Sequence, residues 1–243
     1  MEWLYFESID STNDYLKNHA HTLQHQTVCV AKTQSHGHGR LGRTWVDDGN
    51  SCLFSVLYKE ALNVSLIGFS PLLAAYALHQ TLISIIDEVT IKWPNDLLVR
   101  GRKIAGILTE SIIEGDQVIA LIIGIGINTN TKTIPESLRN IATSYWIETQ
   151  KRLDHQRLME TILDNLEKAI FRYEQQPKDI VDYLNKYTLL KHHVQFNHQG
   201  IIKEGYSKRI LEDGSLEIAT EEGTLAVKSG EIILIKKEGP END

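Results

Sequence analysis

Apolar residues recur along the chain at two spacings, one typical of strands and one typical of helices. Short runs of apolar and branched side chains predict buried strands at residues 27–32, 53–58, 90–92, 103–109 and 118–127. The last run, VIALIIGIGI, is too short to span a membrane and has no polar face. We therefore expect it at the centre of a sheet that is covered on both faces.

Helical spacing predicts three helices. Proline is favoured at the first position of a helix, so a helix of about four turns is predicted from Pro71 to near residue 87. A second helix is predicted over residues 154–173, where apolar side chains recur along one face, and a short third helix over residues 179–187.

The last part of the chain changes to short strands separated by turn signals such as Asp213-Gly214. We therefore expect an α+β domain at residues 1–190, a small all-β module at 191–237 and a flexible tail at 238–243. A module of this size has little stability by itself, so it is expected to pack on its neighbour.

Composition and charge narrow the class of protein. The 243 residues carry a formal net charge of −7, which argues against a nucleic-acid-binding surface, since such surfaces are basic. No signal segment and no apolar stretch of about eighteen residues is present, so a cytoplasmic protein without membrane contact is expected. Cys29 and Cys52 lie in apolar stretches and are interpreted as buried free thiols. The ten histidines lack a recognised zinc spacing.

The candidate chemistry begins with a glycine-rich loop, GHGRLGR at residues 37–43. Its glycines let the backbone approach a ligand, and Arg40 and Arg43 supply fixed positive charge, which suits a phosphate or an adenylate. The loop lacks the Lys-Ser/Thr of a P-loop and the helix-opening context of a dinucleotide site. Taken alone, the loop is equally well explained as a solvated turn.

Further motifs accompany this loop, and the full set in chain order is DSTN (10–13), QSHGHGRLGRTW (34–45), KWPND (92–96), RKIAGI (102–107) and GIGIN (124–128). Together they resemble the biotin–protein ligase family, and the resemblance covers the whole chain. It implies a catalytic domain related to class II aminoacyl-tRNA synthetases, with a mixed sheet and flanking helices, followed by an SH3-like barrel.

The resemblance also implies an activity. Enzymes of this family use ATP to convert biotin into biotinoyl-5'-AMP, and they then transfer biotin to a lysine of a biotin carboxyl carrier protein from acetyl-CoA carboxylase or a related carboxylase. Some relatives carry an N-terminal DNA-binding domain, whereas here the motifs begin almost at Met1. We therefore expect a stand-alone ligase that does not bind DNA. Exposed sheet edges would allow a homodimer, which the sequence leaves open.

The resemblance assigns a role to each candidate site residue. Arg40 and Lys103 are the expected catalytic residues, because two cations would bring the anionic substrates together and stabilise the transition state. The expected biotin-binding residues are Ser11, Thr12, Asn13, Gln34, Gly37, His38, Gly39, Arg40, Lys103, Gly106, Gly124 and Gly126. The expected ATP-binding residues are Arg40, Arg43, Trp45, Lys92, Asn95, Asp96, Lys103 and Asn128. Asp96 is expected either to bind Mg²⁺ or to accept a proton or hydrogen bond near the incoming lysine.

Some of these residues have a second interpretation. Ser11 and Thr12 are also typical of a helix N-cap, and the two roles are compatible. Trp45 either covers the adenylate or is a core aromatic residue. His38 stands where the family has arginine, which is tolerable if this position acts through its backbone N–H. Residues 37–45 are expected to close over biotin and to shield the mixed anhydride from water.

Two other functions remain open at this point. A lipoate or octanoate ligase or transferase of the same fold is disfavoured by the arginine-bearing loop and by the KWPND and RKIAG pair. A non-catalytic biotin-binding module is disfavoured because Arg40 and Lys103 are both present. Such a module would release no pyrophosphate from ATP in the presence of biotin.

Overall fold

A mixed sheet of seven strands forms the first part of the protein. The computed structural model describes residues 1–60, 64–228, 230 and 232–235. The strands are β1 (Glu2–Ile9), β2 (Thr27–Gln34), β3 (Cys52–Tyr58), β4 (Val89–Lys92), β5 (Asp96–Val99), β6 (Arg102–Glu114) and β7 (Gln117–Ile127). Their order across the sheet is β1-β2-β3-β7-β6-β5-β4; β1 and β2 are parallel and the other neighbours are antiparallel. The apolar run of β7 is therefore central, as predicted.

Helices cover both faces of this sheet. They are α1 (Thr12–His19), α2 (Val64–Leu82), α3 (Tyr145–Thr149), α4 (His155–Gln175) and α5 (Pro177–Tyr187). The large core joins α2, α4 and α5 to one face, while α1 packs a smaller apolar cluster on the other face. None of the described helices is long and apolar enough to cross a membrane.

The predicted start and end of α2 are wrong. The helix begins seven residues before Pro71, at Val64, and ends at Leu82. Proline inside a helix lacks the N–H that would donate to the carbonyl four residues earlier, here that of Ile67. The hydroxyl of Ser70 donates to that Ile67 carbonyl at 2.8 Å instead, so the carbonyl keeps a partner and the helix continues through the proline.

The second part of the protein is an antiparallel sheet. Its described strands are β8 (His193–His198), β9 (Ile201–Ile210), β10 (Leu216–Thr220), β11 (Gly223–Val227) and β12 (Ile232–Leu234), in the order β11-β10-β9-β8-β12. The predicted tail at 238–243 lies outside the described residues.

The two parts share one core. The indole N–H of Trp93 donates to the carbonyl of Gly214 at 3.0 Å, and both residues are buried. The amide of Asn185 bonds the backbone of Ile210 twice, as a donor to its carbonyl at 2.9 Å and as an acceptor from its N–H at 2.8 Å. The expectation that the small module packs on its neighbour is therefore confirmed.

The two cysteines are buried and free, as predicted. Burial raises the pKa of the Cys29 thiol and of the Cys52 thiol to about 12. Both therefore remain neutral, apolar side chains at physiological pH.

Candidate functional site

A cavity of about 300 Å³ opens above the face of the first sheet that carries α1. Side chains alternate across a strand, so Ile122, Gly124 and Gly126 of β7 share this face, whereas Ile123 and Ile125 enter the large core. Two glycines follow an isoleucine along the strand, and their missing side chains leave a space above the sheet. The cavity lies over this space.

The floor of the cavity continues across three paired strands. Gly126 lies between Leu53 of β3 and Gly106 of β6. In the next row, Gly124 lies between Ser55 of β3 and Leu108 of β6. These rows combine small residues with apolar ones, which is suited to a flat or elongated apolar ligand.

Each floor glycine accommodates a neighbouring side chain. A Cβ on Gly124 would collide with Oδ1 of Asn13. A Cβ on Gly126 would lie 2.9 Å from Cε2 of Trp45, and one on Gly106 would lie 3.0 Å from its Cζ3. Gly124 and Gly126 are about 7 Å apart along the strand. The floor therefore has two ends, one at Gly124 beside Asn13 and one at Gly126 beside Trp45.

The N-terminus of α1 delivers hydroxyl and amide groups to the first of these ends. Ser11 caps the helix, because its Oγ accepts from the backbone N–H of Asp14 at 3.2 Å, and the predicted N-cap is confirmed. The backbone N–H of Thr12 donates to Oε1 of Gln34 at 2.7 Å. Ser55, which the motifs did not include, lies 2.6 Å from Oγ1 of Thr12 and donates to Oδ1 of Asn13 at 2.6 Å.

A charged carboxylate terminates this polar cluster. Nδ2 of Asn13 donates to Oε2 of Glu110 at 2.9 Å, and Lys17 pairs with Oε1 of Glu110 at 3.0 Å. Burial raises the pKa of Glu110, but the hydrogen bonds from Asn13 and Lys17 and the charge of Lys17 together lower it by more than burial raises it. The pKa of Glu110 is therefore below its usual value. Glu110 is therefore ionised at neutral pH.

The second end of the floor holds the cations. Nζ of Lys103 lies 2.7 Å from Oδ1 of Asp96 and 5.5 Å from the ring centroid of Trp45. Arg40 donates from Nη1 to Oδ1 of Asn95 at 3.3 Å. Two cations and the face of an indole thus surround one part of the cavity, an arrangement that can hold an anion beside a flat ring.

A segment without a recognised motif supports Lys103. The N–H of Lys103 donates to the carbonyl of Ile141 at 2.8 Å, and the carbonyl of Lys103 accepts from Thr143 at 2.9 Å. Asn128 donates its side-chain amide to the carbonyl of Thr143 at 3.0 Å and its backbone N–H to the carbonyl of Ile104 at 2.8 Å. Asn128 therefore ties this segment to β6.

The glycine-rich loop is closed by its own backbone. Gly39 donates to the carbonyl of Arg43 at 2.7 Å, and Trp45 donates to the carbonyl of Gly37 at 2.8 Å. Leu41, at the tip, has φ of 57° and is 80% exposed. A leucine held in the left-handed region and in solvent marks a tip with few native contacts, which favours rearrangement when a ligand binds.

His38 lies at the edge of the cavity. Its Nδ1 is 3.0 Å from the carbonyl of His36 and 3.9 Å from Oδ2 of Asp14. His38, Asp14 and Glu110 are close enough for one atom of each to contact a common ion. Both oxygens of Glu110 already have protein partners, so Glu110 would have to give up one of them to bind an ion.

Every candidate site residue except Gly37 lines this cavity. Gly37 lies behind the cavity wall, where a Cβ would be 3.1 Å from Nε2 of Gln34. The lining residues that were not among the candidate site residues are Leu41, Thr44, Val46, Leu53, Phe54, Trp93, Pro94, Ile107, Leu108, Ile125, Leu138, Ile141 and Ala142. Most of them are apolar, and apolar side chains carry no chemical signal in a sequence.

Trp45 and Asp96 each have a feature that suits a bound ligand or ion. The buried indole N–H of Trp45 has no hydrogen-bond partner among the described residues, and such a donor is costly unless a ligand accepts from it. Asp96 is the only carboxylate among the described residues that line the cavity. Mg²⁺ in nucleotide sites commonly takes one or two protein carboxylates together with phosphate oxygens, and Asp96 fits that limited role.

Comparisons with known proteins agree with this geometry. The profile of the biotin/lipoate A/B protein ligase family matches residues 5–128, just over half of the chain. The biotin–[acetyl-CoA-carboxylase] ligase of Paracoccus denitrificans is 34% identical over 170 residues, which cover 69% of this chain and 70% of that protein. The bifunctional ligase/repressor BirA of Bacillus spizizenii is 36% identical over 151 residues. That match covers 60% of this chain and 46% of BirA, so the chain spans about half the length of this relative.

A solved structure is similar over nearly the whole chain. The biotin protein ligase from Aquifex aeolicus, in complex with biotin and ATP, has a TM-score of 0.85 and 28% identity, and the match covers 97% of this chain and 99% of that chain. The expected architecture of a mixed sheet with helices, followed by an antiparallel sheet, is therefore confirmed.

Proposed function

Because the chain belongs to the biotin/lipoate A/B protein ligase family, we propose that it is a biotin–protein ligase. It joins the carboxylate of biotin to the α-phosphate of ATP and releases pyrophosphate. The biotinoyl group of biotinoyl-5'-AMP then passes to the ε-amino group of a lysine in a biotin carboxyl carrier protein, and AMP leaves.

One observation carries this proposal: a single cavity joins a hydroxyl and amide cluster to a pair of cations across a floor of glycines. Biotin requires this combination, because it has a polar ureido ring at one end and a carboxylate at the other. The apolar side chains of Phe54 and Leu108 line the same cavity and suit the carbon skeleton between these ends.

Arg40 and Lys103 are the catalytic residues in this proposal. The carboxylate of biotin and the phosphates of ATP repel each other, and two cations in one cavity offset that repulsion. The ion pair of Lys103 with Asp96 at 2.7 Å supports this role, because an incoming anion can take the place of the carboxylate. The charge that develops at the α-phosphate is then stabilised by a preformed cation.

The remaining contacts follow the same division. We assign biotin to Ser11, Thr12, Asn13, Gln34, Gly37, His38, Gly39, Arg40, Lys103, Gly106, Gly124 and Gly126. We assign ATP to Arg40, Arg43, Trp45, Lys92, Asn95, Asp96, Lys103 and Asn128. Gly37 contributes indirectly, since it lies against Gln34. The loop at residues 37–45 closes over the ligands and keeps water from the mixed anhydride.

Mg²⁺ enters with ATP in this proposal. When bound, it neutralises phosphate charge, and Asp96 is the carboxylate that would hold it. The alternative role for Asp96 is to accept a hydrogen bond from the incoming lysine ammonium, as it accepts one from Lys103 in this structure.

We extend the proposal to architecture and partners. The first sheet with its helices is a class II aminoacyl-tRNA synthetase-like domain at residues 1–190, and the second sheet is an SH3-like barrel at residues 191–237. The net charge of −7 supports a protein that does not bind DNA. The protein acts in the cytoplasm, without membrane contact, on a carboxylase carrier domain. The exposed edge of β1 can pair with a second copy to form a homodimer.

The test is a transfer assay with purified protein, ATP, Mg²⁺, biotin and an unbiotinylated carrier domain, read by intact mass and by pyrophosphate release. The carrier gains one biotin-sized increment on one lysine. Lys103→Met keeps an unbranched side chain that is one atom shorter and removes the charge, and it lowers kcat/KM about 100- to 1000-fold. Lys32→Met is the matched control, because Lys32 is an exposed lysine that pairs with Glu7, and its activity stays within about twofold of wild type.

Other outcomes separate the alternatives. An increment from lipoate but none from biotin contradicts the biotin assignment and indicates a lipoate ligase of the same family. Biotin binding without pyrophosphate release or transfer contradicts catalysis and indicates a binding module.

A further inference from the structure

We propose that Ser55 is a positioning residue that fixes the direction of the Thr12 hydroxyl proton, so that Thr12 offers lone pairs to the ligand. This inference rests on the proposed function, since the ligand at Thr12 is the ureido ring of biotin. Ser55 is fully buried on β3 and does not line the cavity among the described residues. Its effect on the ligand must therefore pass through a neighbour.

The orientation of the Asn13 amide begins the argument. One end of this amide faces Oε2 of Glu110 at 2.9 Å and the carbonyl of Leu108 at 3.3 Å. Ionised Glu110 and a backbone carbonyl can only accept hydrogen bonds, so the NH₂ group of Asn13 must lie at that end. Its oxygen, Oδ1, therefore faces Ser55.

Ser55 has one proton, and the contact with Asn13 uses it. Oγ of Ser55 lies 2.6 Å from Oδ1 of Asn13, which has no proton to give. Oγ of Ser55 also lies 2.6 Å from Oγ1 of Thr12, and two oxygens at that distance need a proton between them. Since the proton of Ser55 is engaged, Thr12 supplies this one.

The contact between Thr12 and Gln34 does not change this direction. Oγ1 of Thr12 is 3.2 Å from Oε1 of Gln34, so this contact is the longer branch of the same donated proton. Oε1 of Gln34 already accepts from the backbone N–H of Thr12 at 2.7 Å, which keeps it an acceptor. Each partner of the Thr12 proton thus belongs to the protein, and the hydroxyl faces the cavity with lone pairs.

A ligand at Thr12 must therefore donate a hydrogen bond. The ureido ring of biotin carries two N–H donors and meets this requirement, whereas the dithiolane ring of lipoate carries none. The chain from Thr12 through Ser55 and Asn13 to Glu110 consequently favours ureido-bearing ligands over dithiolane-bearing ones. Its far end is held by the ion pair between Glu110 and Lys17.

The test is a double-mutant cycle on Ser55→Ala and Thr12→Val. Biotin affinity is measured by calorimetry without ATP, and the KM for biotin, the KM for ATP and kcat are measured by pyrophosphate release. Ser55→Ala leaves the Thr12 proton only its longer 3.2 Å contact with Gln34, so the proton is no longer held away from the cavity, and biotin binding weakens about five- to tenfold. The KM for ATP and kcat change less than about twofold. In the Thr12→Val background, Ser55→Ala adds less than about twofold, because Ser55 acts through the hydroxyl that valine lacks.

Two further variants separate positioning from loss of stability. Ser55→Cys keeps a weak donor of similar shape and recovers part of the lost affinity. Ser70→Ala removes another buried serine hydroxyl, whose partner is the carbonyl of Ile67, and it lowers Tm without changing the affinity for biotin.

The outcomes that overturn the inference are distinct. Wild-type protein that binds no biotin contradicts the proposed function and the inference with it. If wild type binds biotin but Ser55→Ala does so equally well, only the inference fails. An additive loss in the Thr12→Val background also overturns it, because Ser55 then acts through Asn13 or through the fold.

Discussion

Replacing Trp93 by phenylalanine tests how strongly the second sheet is attached to the first. Trp93 is 2% exposed, and its indole N–H donates to the carbonyl of Gly214 at 3.0 Å. Phenylalanine keeps the aromatic packing but has no donor. The buried carbonyl of Gly214 then loses this bond, which costs about 1–3 kcal/mol. The smaller ring also leaves a small cavity, which adds about 1 kcal/mol.

The expected loss of stability is therefore about 2–4 kcal/mol. For a protein of this size, 1 kcal/mol corresponds to a change in Tm of about 2–4 °C, so Trp93→Phe lowers Tm by about 4–16 °C. The measurement is thermal unfolding followed by calorimetry and circular dichroism. Trp146→Phe is the control, because Trp146 is only half-buried and phenylalanine keeps an aromatic face for Lys132. A drop in Tm below about 2 °C for Trp93→Phe, or an equal drop for the control, refutes the attachment through this bond.

The remaining predictions concern a buried histidine and a floor glycine. Burial lowers the pKa of His79 in the folded protein below its usual value of 6.5. At a pH between the folded pKa and 6.5, the unfolded chain therefore binds more protons than the folded one. The free energy of unfolding consequently falls as the pH decreases from 6.5 towards the folded pKa. Urea unfolding at pH 7.5 and 5.5 should show a smaller loss for His79→Gln than for wild type, and parallel losses would contradict the assignment. Gly126→Ala places a Cβ 2.9 Å from the indole of Trp45 and should lower kcat/KM for ATP more than about tenfold. Gly68→Ala is its control, because a Cβ there meets no atom of the described residues within 4 Å; equal activity of the two variants would show that the indole is not held in place by the floor.

The central strand and the site motifs could be predicted because their signals are local. The run in β7 is long, branched and apolar on both faces, which leaves few alternatives to a central strand. The candidate site residues lie on different elements, yet all except Gly37 line one cavity. The resemblance of their motifs to one family grouped these residues before their geometry was described.

Other elements depend on contacts that no local pattern reveals. β1 is an edge strand whose exposed and half-buried residues follow no clear alternation, so periodicity does not identify it. The start of α2 depends on Ser70, which supplies a hydrogen bond in place of the one that Pro71 cannot make. Ser55 belongs to no motif, and its importance arises from Asn13 and Thr12 on another element.

Both backbone groups of Lys103 are hydrogen-bonded: its N–H donates to the carbonyl of Ile141, and its carbonyl accepts from the N–H of Thr143. Its backbone therefore has little freedom, while the flexible four-carbon stem of its side chain can still rotate. In the proposed reaction, the ammonium would leave Asp96 for a substrate anion by rotamer changes alone, which take picoseconds to nanoseconds in exposed side chains. In the proposed reaction, slower steps would then arise elsewhere, for example at the loop tip, where Leu41 is 80% exposed and has a φ of 57°.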